Sequence, residues 1–132
     1  MKISEFIPGI GWRGEALLSE RMVQFDIDAE MYGRDPTTIL NSALVDVHAR
    51  WDEIEQALLA GPMERYNNDW KDEANGYPAL SKADFLARVL PRAISVGEGL
   101  VEVLFDDGDI FSGHTISVTL CEDEEPCASL LG

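Results

Sequence analysis

Leu100-Val-Glu-Val-Leu-Phe-Asp-Asp-Gly-Asp-Ile-Phe-Ser-Gly-His-Thr-Ile-Ser-Val-Thr-Leu120 is the stretch on which the fold class turns. On one side of it Val101, Val103 and Phe105 alternate with Glu102 and Leu104; on the other Ile116, Val118 and Leu120 alternate with Ser117 and Thr119. A period of two is that of a strand with one buried face. Between the two runs, Asp106-Asp-Gly-Asp109 supplies the residue types of a tight turn. Glycine enters positive φ at no steric cost, and Asp tolerates left-handed backbone while its oxygen bonds local N–H groups. A strand-turn-strand unit is expected here, with a further strand around Ile94 and Val96.

Outward from that unit, the same period recurs near the start of the chain. Val23, Phe25 and Ile27 alternate with Gln24, Asp26 and Asp28, and with Gly11 to Leu18 also extended, Ser19-Glu20 becomes the turn of a hairpin. Between the two strand regions the period lengthens. Asp35-Pro36 reads as an N-cap followed by proline at the first helical position, where its missing N–H does no harm. Leu40, Leu44, Val47, Trp51, Ile54 and Leu58 then step by four and three, a single apolar stripe that Gly61-Pro62 is expected to stop. Met63, Tyr66 and Trp70 continue the helical spacing from Pro62 to Ala74. Ser81, with Asp84 three residues on, caps a short helix expected to end at Pro91 and to bury Phe85, Leu86 and Val89.

Strands, then helices, then strands predict an α+β fold: an N-terminal β-hairpin, a helical middle, and C-terminal antiparallel strands forming one sheet with the helices packed on one face. A length of 132 residues suits a single domain, 1–132, burying about two-thirds of its unfolded surface. The acidic tail, 122–132, is expected to be flexible.

Composition narrows the classes of function. With 45% hydrophobic residues and three Trp, five Phe and three Tyr, the chain is too apolar to be disordered. Its formal net charge is −15, and the sequence pI is near 4.2. Phosphate binding is driven by Lys and Arg releasing counterions, so neither nucleic acid nor an anionic membrane is an expected partner; a basic protein is. No run of 18 apolar residues exists and the start, Met1-Lys-Ile-Ser-Glu-Phe-Ile-Pro8, lacks the apolar core of a signal peptide, which predicts a cytoplasmic protein. Cys121 and Cys127 are expected to be free thiols, since neighbouring carboxylates disfavour thiolate and a five-residue spacing is not a usual zinc pairing.

Gly9-x-Gly11-x-x-Gly14 resembles a phosphate-cradling loop in spacing but has no expected strand before it, so no dinucleotide cofactor is assigned. His48, beside the helical stripe without a His or Cys one turn away, is read as a partly buried structural residue rather than a ligand. Asp106, Asp107 and Asp109 lack the longer Asp-x-Asp-x-Asp-Gly order and the bidentate Glu of a calcium loop, so no metal site and no cofactor is expected. His114 falls in phase with Ile116 and Val118, where its ring nitrogens need a partner such as a turn carbonyl or Asp109.

The segment Phe105-Asp-Asp-Gly-Asp-Ile-Phe-Ser-Gly-His-Thr-Ile116 resembles the C-terminal signature of a family of uncharacterised bacterial domains. In that signature a strand enters an Asp-Asp-Gly-Asp turn and leaves through aromatic-x-Gly-His into the next strand. The order of parts is similar as well, with a hairpin near Trp12, a helical middle carrying Trp51 and Trp70, and a short helix before the final strands. Ser112 stands where the family often has a second aromatic. The resemblance covers residues 9–132 and implies no catalytic residues.

What stands out after this is a surplus of acid. No Lys or Arg follows Arg92, while the last forty residues hold nine carboxylates. A turn needs one or two. The expected function is a non-enzymatic protein-interaction module, in its sharpest form an immunity-type inhibitor of a basic toxin, by analogy with small acidic proteins that cover a cationic nuclease surface. Asp106, Asp107, Asp109, Glu122, Asp123, Glu124 and Glu125 would form its contact face. The alternative is a small metal-dependent or His/Asp hydrolase centred on the C-terminal hairpin, with His114 and Asp109 as acid–base pair and Ser112 or Thr115 as nucleophile.

Overall fold

The computed structural model describes residues 2–8, 10–31 and 33–131. It is a mixed α+β domain built on a sheet of seven strands in sequence order. These are β1 (Lys2–Ile7), β2 (Gly11–Leu18), β3 (Arg21–Asp28), β4 (Leu90–Gly97), β5 (Leu100–Asp106), β6 (Thr115–Cys121) and β7 (Cys127–Leu131). Every neighbouring pair is antiparallel except β3–β4, which is parallel, with Phe25 opposite Ile94 and Ile27 opposite Val96. A parallel pair cannot be closed by a tight turn. The chain from 29 to 89 makes the crossover and supplies all the helices: α1 (Pro36–Ala49), α2 (Trp51–Leu58) and α3 (Lys82–Arg88).

Local chemistry explains most of these elements. The β2–β3 connection is two residues, Ser19 (φ 49°) and Glu20 (φ 64°), both left-handed as the primed hairpin turns require. Asp35 caps α1 by accepting from the Thr37 amide at 3.4 Å and from the Thr38 hydroxyl at 2.7 Å. The Ser81 hydroxyl accepts from the Asp84 amide at the head of α3.

Two strands escape a reading by period. In β1 the register shifts between Ile3 and Glu5, which breaks the alternation. β7 is a five-residue edge strand, Cys-Ala-Ser-Leu-Leu, with no fully buried residue, and only its pairing to β6 makes it a strand. The long helical stripe also differs from expectation. The helix is interrupted at Arg50, and Gly61-Pro62 does not stop it: the chain continues through a π-helical turn, Leu59–Met63, and a second, Tyr66–Trp70. The wider turn passes the position where Pro62 has no N–H to give. The Gly-rich run begins at Gly9, outside the described residues; a strand, β1, does precede it, but it leads into β2 rather than a helix and so offers no helix N-terminus to a phosphate. His48 is exposed rather than partly buried.

One hydrophobic cluster joins sheet and helices. It contains Val23, Phe25 and Ile27 of β3, Val103 and Phe105 of β5, Ile116, Val118 and Leu120 of β6, and Leu40, Val47, Ile54 and Leu58 of the helices. Gly11 enters this packing with φ 129°, and a Cβ there would fall inside the Ile27 carbonyl group. Gly11→Ala should lower the unfolding free energy by about 3 kcal/mol or more, because both backbone strain and overlap are forced at one site. Urea denaturation against Gly97→Ala, where an added Cβ would meet nothing within 4 Å, measures it; a loss under about 1 kcal/mol at Gly11 would contradict this packing.

Candidate functional site

Alternating strand directions send every turn to one of two ends of the sheet. Leu100 pairs with Cys121 and Asp106 with Thr115, so Asp106, Asp107 and Asp109 lie at one end of β5–β6 and Glu122 to Glu125 at the other. Six residue steps separate those ends, about 20 Å. The acids that sequence order gathers into one contact face therefore form two groups.

In the first group the loop is wound around a single carboxylate. Asp107, only 4% exposed, accepts backbone N–H groups from Asp109 at 2.9 Å, Phe111 at 3.0 Å and Gly113 at 2.9 Å. Gly108, Asp109, Ser112 and Gly113 all take positive φ, the conformation that lets successive amides converge on one acceptor. The winding drives Phe111 inward, where it meets Tyr66 edge-on at 5.9 Å and Trp70 at 5.3 Å. Asp107 is thus a structural anchor and not a surface contact. Asp106 is half-buried and lies 3.8 Å from Arg92, which leaves Asp109 as the exposed acid of the three.

His114 closes this loop. Its Nδ1 bonds the Phe111 carbonyl and its ring meets Trp70 edge-on at 5.8 Å. Asp109 and His114 line a small hollow of about 310 Å³ together with Arg92, and Ser112 lines an adjoining one of about 520 Å³. The hydrolytic candidates therefore share a neighbourhood, with the Phe111 carbonyl as a partner of the imidazole. Among the described residues, no three His, Cys, Asp or Glu side chains are grouped as metal ligands.

The second group borders a cleft of about 1000 Å³ between α1 and the strand ends. Its base is apolar, with Met31, Val96, Val101 and Leu120. Its rim is acidic: Asp35, Asp46 and Glu53 from the helical side, Glu122, Asp123, Glu124 and Glu125 from the β6–β7 turn. The Thr38 hydroxyl, and secondarily the Thr37 and Thr38 amides, hold the Asp35 carboxyl below its ordinary value against the opposing effect of burial, so it carries charge at neutral pH.

Both arginines of the rim are engaged. Arg34 pairs with Glu98 at 3.2 Å. Arg50 donates from Nε to Glu53 at 3.0 Å, from Nη1 to the Cys121 carbonyl at 3.2 Å and from Nη2 to the Glu124 carbonyl at 2.5 Å. This fork ties the acidic turn to the α1–α2 junction and uses main-chain oxygens, leaving the turn's carboxylates facing outward. Nothing in the local sequence marks Arg50, Ser42 or Leu100 as parts of a site, because they meet only through packing of α1 beside the sheet.

These observations define a mixed α+β domain with an acid-rimmed cleft. Residues 10–130 match a family of uncharacterised proteins conserved in bacteria (DUF2262), and the chain belongs to that family. No curated protein and no solved structure matches it.

The Asp107 cage can be tested apart from any partner. Asp107→Ala leaves converging buried amides without an acceptor and should cost about 3 kcal/mol in urea denaturation, whereas Asp109→Asn should stay within about 0.5 kcal/mol. Equal effects of the two substitutions would remove the structural distinction between them.

Proposed function

We propose that this protein is a non-enzymatic, cytoplasmic interaction module that binds a basic protein, in its sharpest form an immunity-type inhibitor of a cationic toxin. The observation that carries the proposal is the cleft at the Glu122–Glu125 end, where an apolar base and a carboxylate rim occur together. A rim in which carboxylates outnumber cations raises the encounter rate with a basic partner, and an apolar base supplies the desolvated contact that holds it. In this view the helices form a layer on one face of the sheet, and the partner docks where that layer leaves strand ends uncovered. Asp106 and Asp109 add to the overall field but stand at the far end.

The test is affinity capture from the source organism, with products of neighbouring genes included as baits, followed by binding measurements on two variants. Replacing Glu122, Asp123, Glu124 and Glu125 by Gln or Asn should slow association at least about tenfold at low salt and flatten the salt dependence. Neutralising Asp106 and Asp109 should have a much smaller effect. If the fourfold variant binds every captured partner as tightly and as fast as the unaltered protein, the proposal fails.

A further inference from the structure

The cleft is elongated along α1. Asp35, Ile39, Ser42 and Asp46 line it at spacings of four, three and four, which places them on one stripe of the helix. The fourteen residues of α1 run about 21 Å. The opposite wall is made by the β4–β5 turn, with Gly97, Gly99 and Leu100, and by the acidic β6–β7 turn. A Cβ added at Gly97 or Gly99 would meet nothing within 4 Å, so neither position of this turn is packed against a neighbour. The middle of the α1 wall is small as well, with Ser42 and Ala43. Large side chains at these positions would fill the groove.

The groove presents side chains and turns, not an unpaired strand edge. The two edge strands, β1 and β7, bound the sheet on its outer sides. An extended occupant would therefore leave its own backbone N–H and C=O groups without a ladder, whereas a helix brings those bonds with it. Apolar groups on such a helix would meet Val101 and Leu100, the latter 42% exposed. Cations flanking its apolar stripe would face Asp35 and Asp46 on one rim and Glu122 to Glu125 on the other.

From this shape and charge we infer that the groove takes an amphipathic basic α-helix of the partner protein, laid alongside α1. The inference rests on the proposal that the cleft is the site for a basic partner, and it specifies the form in which that partner is presented. The helix occupies the gap beside α1 and covers the exposed part of Leu100.

The probe is a synthetic peptide of about 18 residues with leucines at helical spacing and lysines elsewhere, long enough to span the groove. Its comparison is a peptide of the same composition with the leucine spacing scrambled. Binding is followed by fluorescence anisotropy near physiological salt, and helix formation by circular dichroism. The helical peptide should bind at least about tenfold more tightly than the scrambled one and gain helicity on binding. Ser42→Trp, at an exposed position that leaves every charge in place, should weaken it by about tenfold, as should Leu100→Ser. If the two peptides bind alike and both variants are neutral, while neutralising Glu122 to Glu125 still abolishes binding, the helical form is overturned and the basic-partner proposal stands. If neither peptide binds and the neutralised variant also leaves captured partners unaffected, both fall.

Discussion

The parallel pairing of β3 with β4 is the constraint from which the rest of the molecule follows. Phe25 beside Ile94 and Ile27 beside Val96 bring two strands into register that are more than sixty residues apart in the chain. Parallel strands need a connection that returns the full length of the sheet. Residues 29–89 make that return, and because β3 ends at Asp28, α1 has to begin at the same end as the β4–β5 turn. The antiparallel order of β4 to β7 then brings the β6–β7 turn there too. A cleft between α1 and those turns is a consequence of strand direction.

Charge is distributed by the same geometry. Carboxylates that follow one another closely in sequence part company when a strand runs between them, so the C-terminal acids divide into a wound loop and a cleft rim. In the loop one of them, Asp107, is consumed by backbone amides, and its neighbour Asp106 faces Arg92. On the rim the acids remain outward because Arg50 holds their turn through carbonyl oxygens rather than through carboxylates. A high negative charge thus becomes a directed one. In the proposed function the weight falls on Glu122 to Glu125, with Asp35 and Asp46 across from them.

Much of the architecture was legible because it has a local cause. The alternation of Val23, Phe25 and Ile27, the helical steps from Leu40 to Val47 and from Trp51 to Leu58 on either side of Arg50, and the caps at Asp35 and Ser81 are short-range patterns that the fold preserves. The misses share a different cause. β1 carries a bulge that erases its period, β7 is a strand only by pairing with β6, and Pro62 is absorbed by a π-helical turn that depends on packing around it. The site was half legible: the acids could be counted, and a single turn could be assigned to Asp106-Asp-Gly-Asp109. The inward role of Asp107 and the clamp made by Arg50 required knowing which backbone groups come within hydrogen-bond distance.

By itself the amino-acid sequence determined an acidic, foldable chain of α+β class with an acidic connection between two C-terminal strands; the connection is an eight-residue wound loop, 107–114, rather than the tight turn its residue types suggest. Hydrophobic period, capping chemistry and net charge are properties of neighbouring residues and of their sum. Only the tertiary structure decided which end of the sheet each acid occupies, which carboxylate is buried, and that an apolar-based cleft opens beside α1. Those outcomes depend on strand direction and on contacts between residues as distant as Arg50 and Glu124, which no local pattern encodes.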